Sequence, residues 1–369
     1  MQFPIQMYDP KRDYQLHKTN IDNAIHKVLD HGFFIKGPEV KELEKKLAQY
    51  VGVKHCIAVS NGTDALKIAL LSLGIKTGDE VITVAHSWIS TAEVIPLVGA
   101  NPVFVEIENI TFNMDLDKIE EKITTKTKAI IIVSLYGQMP DLNKLSEKYN
   151  LPVIEDGAQS FGALLNNKKS CSLTTIGTTS FFPSKPLGCF GDGGACFTNN
   201  DELAIKIRAI SNHGGTKRFH HTYIGLNARL DTIQASILLE KFKYFEDSIM
   251  KRNRCANYYS EKLKNVDLQL PKVLENRRSV WAQYSILAKD TQTRDDIIRY
   301  LKDNNVNVAI FYPKPLHTQE CFSYLPHSDL PITQDVCDRI FNLPCYAEFT
   351  KQEQDYIIDL IIKFFKKNI

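Results

Sequence analysis

The sequence has no long apolar run, no paired cysteines and no excess of charge of either sign. No stretch approaches the ~18 apolar residues of a spanning helix, so no membrane partner is expected. The eight cysteines are scattered without a Cys-x-x-Cys pair, so neither a zinc ribbon nor a redox dithiol is indicated, and no metal site is predicted. We expect reduced thiols in a cytoplasmic protein. The net charge of +2, with interleaved signs, does not call for a nucleic-acid partner.

The length of 369 residues suits about two domains. Between about residues 55 and 240, short apolar segments alternate with helical ones, which predicts an α/β fold with a mainly parallel sheet. We expect a large domain over residues 1–245 and a smaller α+β domain over residues 246–369. The candidate strands of the sheet are His55–Val59, Glu80–Val84, Pro102–Val105, Ala129–Ser134 and Pro152–Glu155.

Other segments carry helical or strand patterns. We predict a helix over Asp64–Leu73, a long helical stretch over about residues 231–263, and late strands over Trp281–Leu287 and Asn307–Phe311. The run Ala129–Val133 is apolar without alternation, which is typical of a strand buried on both faces.

A polar turn, Ser60–Leu66, joins the first predicted strand to a helix. Such a turn directs free backbone N–H groups and the helix dipole at an anion, and Thr63 adds a hydroxyl. The alternative is that Ser60 or Asn61 only caps the helix.

Two adjacent carboxylates, Glu155 and Asp156, end an apolar strand. Alternation along a strand predicts that one side chain faces a site and the other faces away. Asp156 on its own is also compatible with a helix cap or a surface residue.

Lys185 lies in Ser180–Ala195, a segment of aromatic residues, prolines and glycines. Most lysines are exposed, but in these surroundings desolvation lowers the pKa of an amine and makes it a nucleophile toward carbonyls. Pyridoxal phosphate needs such a lysine, a carboxylate at its ring nitrogen and a helix N-terminus for its phosphate. The three segments supply these in order, as in fold-type-I pyridoxal-phosphate transferases.

The chain resembles the DegT/DnrJ/EryC1/StrS sugar aminotransferases over nearly its whole length. Among these, Val133–Gln138 and Ser180–Cys189 look closest to members that aminate C3 of a UDP-linked 3-keto N-acetylamino sugar. The stretches that carry the family resemblance are Asn61–Leu66, Val153–Gln159, Ser180–Gly194, Asn227–Asp231 and Tyr312–His317.

The resemblance assigns roles to residues of this chain. It implies that Lys185 binds the cofactor covalently and moves protons, that Asp156 pairs with the ring nitrogen and that Gln159 binds the phenolic oxygen. Gly62, Thr63 and Ser180 would hold the phosphate, and Trp88 would stack on the ring unless it is a core residue. Asn227 would reach the cofactor of a partner subunit, which implies a homodimer with shared active sites. Substrate contacts are expected from Arg229 (or an ion pair with Asp231 instead), Tyr312 and His213, unless the histidine is an ordinary loop residue.

One departure from the family concerns Phe311. In uronate-specific relatives a histidine precedes the Tyr-Pro of this loop, and phenylalanine cannot bind a carboxylate. This lowers the expectation of a uronate and leaves room for a 3-keto N-acetylglucosamine or a 3-keto-6-deoxyhexose.

The predicted activity is amino transfer from L-glutamate to the C3 ketone of a nucleotide-linked sugar, for glycan, O-antigen or lipid A synthesis. The alternatives are a dTDP- or UDP-linked keto-6-deoxyhexose aminated at C3 or C4, and a non-catalytic nucleotide-sugar-binding homologue. Lys185 argues against the sugar 3-dehydratase branch, which has histidine there. The glycine cluster Gly188–Gly194 does not fit a dinucleotide-binding motif.

Overall fold

The computed structural model describes residues 4–326 and 328–367, and in this range eleven α-helices surround a central sheet. The helices are α1 (Pro10–His31), α2 (Pro38–Val51), α3 (Gly62–Ser72), α4 (Ser90–Leu97), α5 (Leu142–Lys148), α6 (Asp201–Ile210), α7 (Thr232–Phe242), α8 (Phe245–Leu263), α9 (Thr291–Asp303), α10 (Pro331–Arg339) and α11 (Lys351–Lys367). Single 3₁₀ turns lie at Leu116–Lys118, Glu120–Lys122, Leu135–Gly137, Leu316–Thr318 and Glu320–Phe322.

Fourteen strands lie in the same range. They are β1 (His55–Val59), β2 (Glu80–Val84), β3 (Asn101–Val105), β4 (Thr127–Val133), β5 (Val153–Asp156), β6 (Leu164–Leu165), β7 (Lys168–Lys169), β8 (Ile176–Ser180), β9 (Gly194–Thr198), β10 (Gly215–Lys217), β11 (His220–His221), β12 (Arg277–Arg278), β13 (Tyr284–Leu287) and β14 (Ile340–Leu343).

Seven strands form the central sheet in the order β1-β9-β8-β5-β4-β2-β3. Strands β3, β2, β4, β5 and β8 pair in parallel, whereas β9 is antiparallel to both of its neighbours. This mixed, mainly parallel sheet with helices confirms the predicted fold class. The carboxyl ends of the parallel strands lie at one edge, where such sheets bind ligands.

Strand β4 is buried on both faces, as its unbroken apolar run predicts. Ile130 and Ile132 belong to one buried cluster, while Ala129 and Ile131 belong to the cluster on the other face. Each isoleucine is fully buried, which contributes about 1.5–3 kcal/mol to folding. The central sheet is therefore the middle layer of the core.

Two of the predicted elements differ in the structure. The helical stretch over residues 231–263 is two helices, because the chain turns at Lys243–Tyr244 and brings Phe245 against Phe161, with ring centroids 5.7 Å apart. The predicted strand Asn307–Phe311 was wrong: it makes only an isolated bridge between Ala309 and Asn342 of β14.

The C-terminal part has its own core, to which β13, β14, α9 and α11 contribute. Helix α11 buries its apolar stripe there, including Ile357, Leu360 and Ile361. Helix α8 begins at Phe245, where the sequence places the boundary between the domains, and the division itself stays a prediction. Among the described helices, none is long and apolar enough to cross a membrane. The eight cysteines are free thiols, and all except Cys321 are buried.

Candidate active site

A cavity of ≈ 560 Å³ opens at the carboxyl ends of β4, β5 and β8, a volume within the range of small-molecule sites. Its walls are formed by Asn61, Gly62, Thr63, Asp64, Leu66, Ser87, Trp88, Ser90, Val133, Asp156, Ala158, Gln159, Thr178, Thr179, Ser180, Phe182, Ser184, Lys185, Asp192, Gln283, Phe311 and Tyr312. The polar turn, the end of the carboxylate strand and the lysine segment that the sequence singled out therefore meet in one place.

The N-terminus of α3 forms one end of the cavity. Asn61 caps the helix by accepting a 2.7 Å hydrogen bond from Asp64 N, so the capping alternative describes Asn61 correctly. The N–H groups of Gly62 and Thr63 are in the first turn and have no partner within the helix. The cap and an anion site therefore coexist at this turn.

Gly62 allows α3 to begin directly beside the end of β8. A Cβ at Gly62 would lie 2.8 Å from the Ser180 Cβ, so a larger residue would force the helix away from Ser180. The Thr63 hydroxyl lies 2.7 Å from Ser90 Oγ. Two hydroxyls and two backbone N–H groups thus surround a space suited to a phosphate.

Asp156 ends β5 with its side chain in the cavity, and its neighbour Glu155 faces the other way. Thr91 donates to Asp156 Oδ2 at 2.7 Å and Ala158 N donates to Oδ1 at 3.2 Å. Glu155 is instead bound by Ser134, Ser170 and Cys171 N. Alternation along the strand therefore separates the two carboxylates as predicted. Burial raises the pKa of Asp156, and its two donors and Lys185 oppose this.

Lys185 lines the cavity together with Asp156. Burial lowers the pKa of the Lys185 amine, and the charge of Asp156 partly opposes the shift. The backbone here is held by a hydrogen bond from Lys185 N to Phe182 O at 2.8 Å. A larger fraction of neutral amine follows at neutral pH, as a nucleophile toward carbonyls requires.

Gln159 is held at both ends of its side-chain amide. Its Oε1 accepts from Tyr136 N at 2.8 Å, and its Nε2 donates to the Tyr312 hydroxyl at 3.0 Å. The Tyr136 hydroxyl donates to Phe311 O and lies 2.7 Å from His86 Nε2. This network ties the loop at Phe311 to the end of the sheet.

Trp88 is 59% exposed although it lines the cavity. Its ring centroid lies 6.3 Å from that of Tyr312. Trp88 is therefore not a core residue, and its indole face is accessible to a flat ligand.

Three predicted site residues lie outside the cavity walls. Asn227 and His213 are exposed, and Arg229 Nη1 bonds Asn212 Oδ1 at 3.4 Å. The roles of all three stay predictions. For Asn227 the predicted contact is with a partner subunit, so a position outside this chain's own cavity is compatible with it.

Several residues of the site were not found from the sequence. Thr91 donates to Asp156 and Gln283 lines the cavity, but neither lies in a segment whose local pattern indicates a site. Tyr136, whose N–H holds Gln159, lies in the motif Val133–Gln138 but was given no role. Their positions depend on the packing of distant segments.

The chain matches the model of the DegT/DnrJ/EryC1/StrS aminotransferase family over residues 15–362. It belongs to this family. It is 47% identical to the UDP-2-acetamido-2-deoxy-3-oxo-D-glucuronate aminotransferase of Pseudomonas aeruginosa, covering 93% of this chain and 95% of the relative. It is 38% identical to the UDP-N-acetyl-3-dehydro-α-D-glucosamine 3-aminotransferase of Acidithiobacillus ferrooxidans, covering 95% of each.

A solved structure of the same family, an aminotransferase from Brucella abortus, superposes with a TM-score of 0.94 at 39% identity, covering 98% of this chain and 99% of that one. Membership makes this chain a pyridoxal-phosphate-dependent aminotransferase. The residues present fit the cofactor. Gly62 lets the N-terminus of α3 lie against Ser180, so that both residues line the cavity where a phosphate would bind, and the buried Asp156 suits a cationic ring nitrogen.

Proposed function

We propose that this enzyme transfers an amino group from L-glutamate to the C3 ketone of a UDP-linked N-acetylamino sugar. Both named relatives act on such a 3-keto sugar. The observation that carries the proposal is the convergence of Lys185, Asp156 and Gln159 in one cavity, within a chain so similar to these relatives.

The side chains divide the work of amino transfer. The bound cofactor supplies the electron sink for this chemistry. Asp156 keeps a proton on the ring nitrogen, and Thr91 and Ala158 N fix the direction of its carboxylate. Gln159 would donate to the phenolic oxygen, and the N-terminus of α3 would bind the phosphate. Lys185 Nζ, whose pKa is lowered by burial, would take the proton from the α-carbon of the donor and deliver it to the cofactor, and would move a proton from the cofactor to C3 of the sugar in the second half-reaction.

Phe311 affects which substituent at C5 of the sugar the cavity favours. Its side chain lines the cavity and cannot donate a hydrogen bond to a carboxylate, an interaction worth about 1.5–3 kcal/mol. We therefore favour 3-keto N-acetylglucosamine over its uronate. An apolar wall also suits a 6-methyl group, which makes a UDP- or dTDP-linked keto-6-deoxyhexose the second candidate.

The homodimer is part of the proposal, as is a cytoplasmic role in lipopolysaccharide or other polysaccharide synthesis. Exposed Asn227 completes the partner's site, so each site takes Lys185 from one chain and Asn227 from the other. A mixed dimer of Lys185→Ala and Asn227→Ala chains then has one doubly impaired site and one intact site. Recovery of activity on mixing the two variants supports sharing, whereas additive residual activity, or a fully active monomer in sedimentation, refutes it.

The donor half-reaction tests the proposal directly. We expect L-glutamate to bleach the yellow absorbance of the lysine-bound cofactor and to release one 2-oxoglutarate per site, and L-aspartate to react far more slowly. The Lys185→Ala variant is the control, because it has no amine to form the yellow species. If glutamate does not bleach the absorbance and another amino acid bleaches it rapidly, that amino acid is the donor and L-glutamate is not.

A further inference from the structure

Tyr136 lies in the turn Leu135–Gly137 that follows the central strand β4, and it has an unusual backbone conformation. Its φ is +55°, in the left-handed region that residues other than glycine seldom adopt. The turn is held by Asn113, whose Oδ1 accepts from Leu135 N at 3.0 Å. Such a conformation persists only where the surrounding contacts compensate for it, and it is common at functional sites.

The two polar groups of Tyr136 hold residues on different sides of the cavity. Its backbone N–H donates to Gln159 Oε1 at 2.8 Å, and Gln159 is the residue proposed to contact the cofactor. Its hydroxyl donates to the backbone carbonyl of Phe311, whose side chain lines the cavity from the C-terminal part of the chain. Tyr136 itself is buried and is not one of the wall residues. It can therefore act on a ligand only through the residues that it holds.

The hydrogen-bond partners of the Tyr136 hydroxyl fix its direction. The Phe311 carbonyl can only accept, so the hydroxyl proton points at it, and His86 Nε2, 2.7 Å away, must donate to the hydroxyl oxygen. Burial lowers the pKa of His86 to about 3, so the ring is neutral and its Nδ1 accepts from the Cys337 thiol at 3.3 Å. Burial raises the pKa of Cys337 to about 12, so this thiol keeps its proton. Each proton in the chain has an acceptor, which leaves the hydroxyl one orientation.

Phe311 lies outside the strands, so side chains rather than a neighbouring strand hold its backbone. Asn342 Oδ1 accepts from Phe311 N at 2.9 Å, and the Tyr136 hydroxyl donates to Phe311 O. The two bonds anchor both backbone polar groups of Phe311. Loss of either anchor would allow Phe311 to move relative to the end of the central sheet, where the cofactor is proposed to bind.

We infer that Tyr136 is a positioning residue, whose hydroxyl fixes the place of Phe311 in the wall that contacts the acceptor sugar. This inference rests on the proposed function. Gln159 is held by the backbone N–H of Tyr136, which the Tyr136→Phe variant retains. Removal of the hydroxyl alone should therefore weaken the binding of the sugar and leave the donor half-reaction intact.

The test measures the two half-reactions of Tyr136→Phe separately. For enzyme loaded with pyridoxamine phosphate, the single-turnover rate at increasing concentrations of UDP-3-keto-N-acetylglucosamine gives a half-saturating concentration and a maximal rate. We expect the half-saturating concentration to rise about 3- to 10-fold, as for the loss of one hydrogen bond, and the maximal rate to stay within about twofold. Both constants for L-glutamate should also stay within about twofold of the wild-type values.

Tyr284→Phe is the matched control for the loss of a buried tyrosine hydroxyl. Tyr284 is fully buried in the core of the C-terminal part, and its hydroxyl lies 2.9 Å from Ser260 Oγ. This variant also loses one hydrogen bond, so it should lower the melting temperature without changing saturation by the keto sugar. A purely structural role of Tyr136 would give the same result as Tyr284→Phe.

Further substitutions test whether Tyr136 acts through Phe311. In a Phe311→Ala background, Tyr136→Phe should change the half-saturating concentration by less than about twofold, because the side chain that the hydroxyl positions is gone. Asn342→Ala releases the other backbone anchor of Phe311 and should raise the half-saturating concentration as well. It provides an independent measurement if Tyr136→Phe does not fold.

Three results would overturn the role of Tyr136. They are unchanged saturation by the keto sugar in Tyr136→Phe, equal changes in the two half-reactions, and an undiminished effect in the Phe311→Ala background. Failure of the wild-type enzyme to react with the keto sugar would instead overturn the UDP-sugar assignment together with this inference.

Discussion

Gln159 Nε2 donates a hydrogen bond to the Tyr312 hydroxyl across 3.0 Å. The opposite end of the same amide accepts from Tyr136 N, so exchange of the two ends would place an NH₂ group against this N–H and lose that bond. The amide that we propose contacts the cofactor is thus oriented by the protein before any ligand binds. It also joins the end of the central sheet to the C-terminal loop that we propose contacts the sugar.

The Gln159–Tyr312 bond predicts coupling between the two side chains. We expect Tyr312→Phe and Gln159→Leu to show a coupling free energy of about 0.5–1.5 kcal/mol in a double-mutant cycle on denaturant unfolding of the cofactor-free protein. Tyr324→Phe in place of Tyr312→Phe is the control, because Tyr324 is largely exposed. A coupling of zero for Tyr312 would mean that the bond does not persist in solution.

Asp156→Asn is expected to stabilise the cofactor-free protein while weakening the cofactor's binding. Because the folded pKa of Asp156 is raised above its unfolded value, its stabilising contribution exists only at acidic pH and is lost as pH rises through the folded pKa. Asparagine can still accept from Ala158 N and donate to Thr91. The melting temperature of the Asp156→Asn variant should therefore exceed that of wild type at pH 8, and the difference should shrink toward pH 4.

The same Asp156→Asn variant should bind the cofactor more weakly than wild type does. Removal of the carboxylate leaves the ring nitrogen without its counter-charge, which costs about 3–5 kcal/mol in a buried site. Equilibrium dialysis measures this loss. A variant that binds the cofactor as wild type does would remove Asp156 from the proposed role.

Trp88 is expected to contribute to the cofactor's binding and little to folding. Because its side chain is exposed, Trp88→Ala should change the free energy of unfolding by less than about 0.5 kcal/mol. Loss of an aromatic contact should weaken the cofactor's binding about 3- to 10-fold, and Trp88→Phe should restore most of it. Tyr324→Ala is a matched control, since both side chains are 59% exposed. Unfolding of Trp88→Ala would contradict the ligand role.

His86 predicts a loss of stability in acid. Burial lowers its pKa to about 3, whereas an unfolded histidine titrates near ~6.5. Only the unfolded chain takes up the proton as pH falls below that range, so His86 should reduce the free energy of unfolding by about 2 kcal/mol between pH 7 and pH 5.

His86→Gln keeps a donor for the Tyr136 hydroxyl and cannot be protonated. Denaturant unfolding at the two pH values should therefore show a smaller drop in this variant than in wild type. His26→Gln, on the exposed surface of α1, should not reduce the drop. Equal drops in wild type and His86→Gln would contradict the buried, neutral state of His86.

Local patterns predicted five of the seven central strands, because an apolar strand buried on both faces leaves an unbroken run such as Ala129–Val133. They did not predict β8 and β9, which carry threonines and glycines. They also separated Asp156 from Glu155, since alternation along a strand is a local property. Asn307–Phe311 has a strand pattern as well, but only Ala309 bridges to β14, at Asn342, and how far two segments pair is decided by packing. Sequence alone therefore could not show that this segment stays outside the sheet.

The remainder of the site depends on contacts between distant positions. Thr91 reaches Asp156 from α4, and Gln283 reaches the cavity from the start of β13. Neither residue lies in a local sequence motif that would identify it as part of the site. Asn227 stays a prediction for a related reason, because its proposed partner is a second chain.

The acceptor half-reaction is the most direct test of amination at C3 of a UDP-linked N-acetylamino sugar. The enzyme is loaded with pyridoxamine phosphate, single keto sugars are added, and the return of the yellow lysine-bound cofactor is followed, with Lys185→Ala as the blank. We expect the yellow absorbance to return rapidly with UDP-3-keto-N-acetylglucosamine and more slowly with its uronate. A faster return with the uronate would refute the role of Phe311. A return only with a 4-keto-6-deoxy sugar, or with none, would contradict amination at C3.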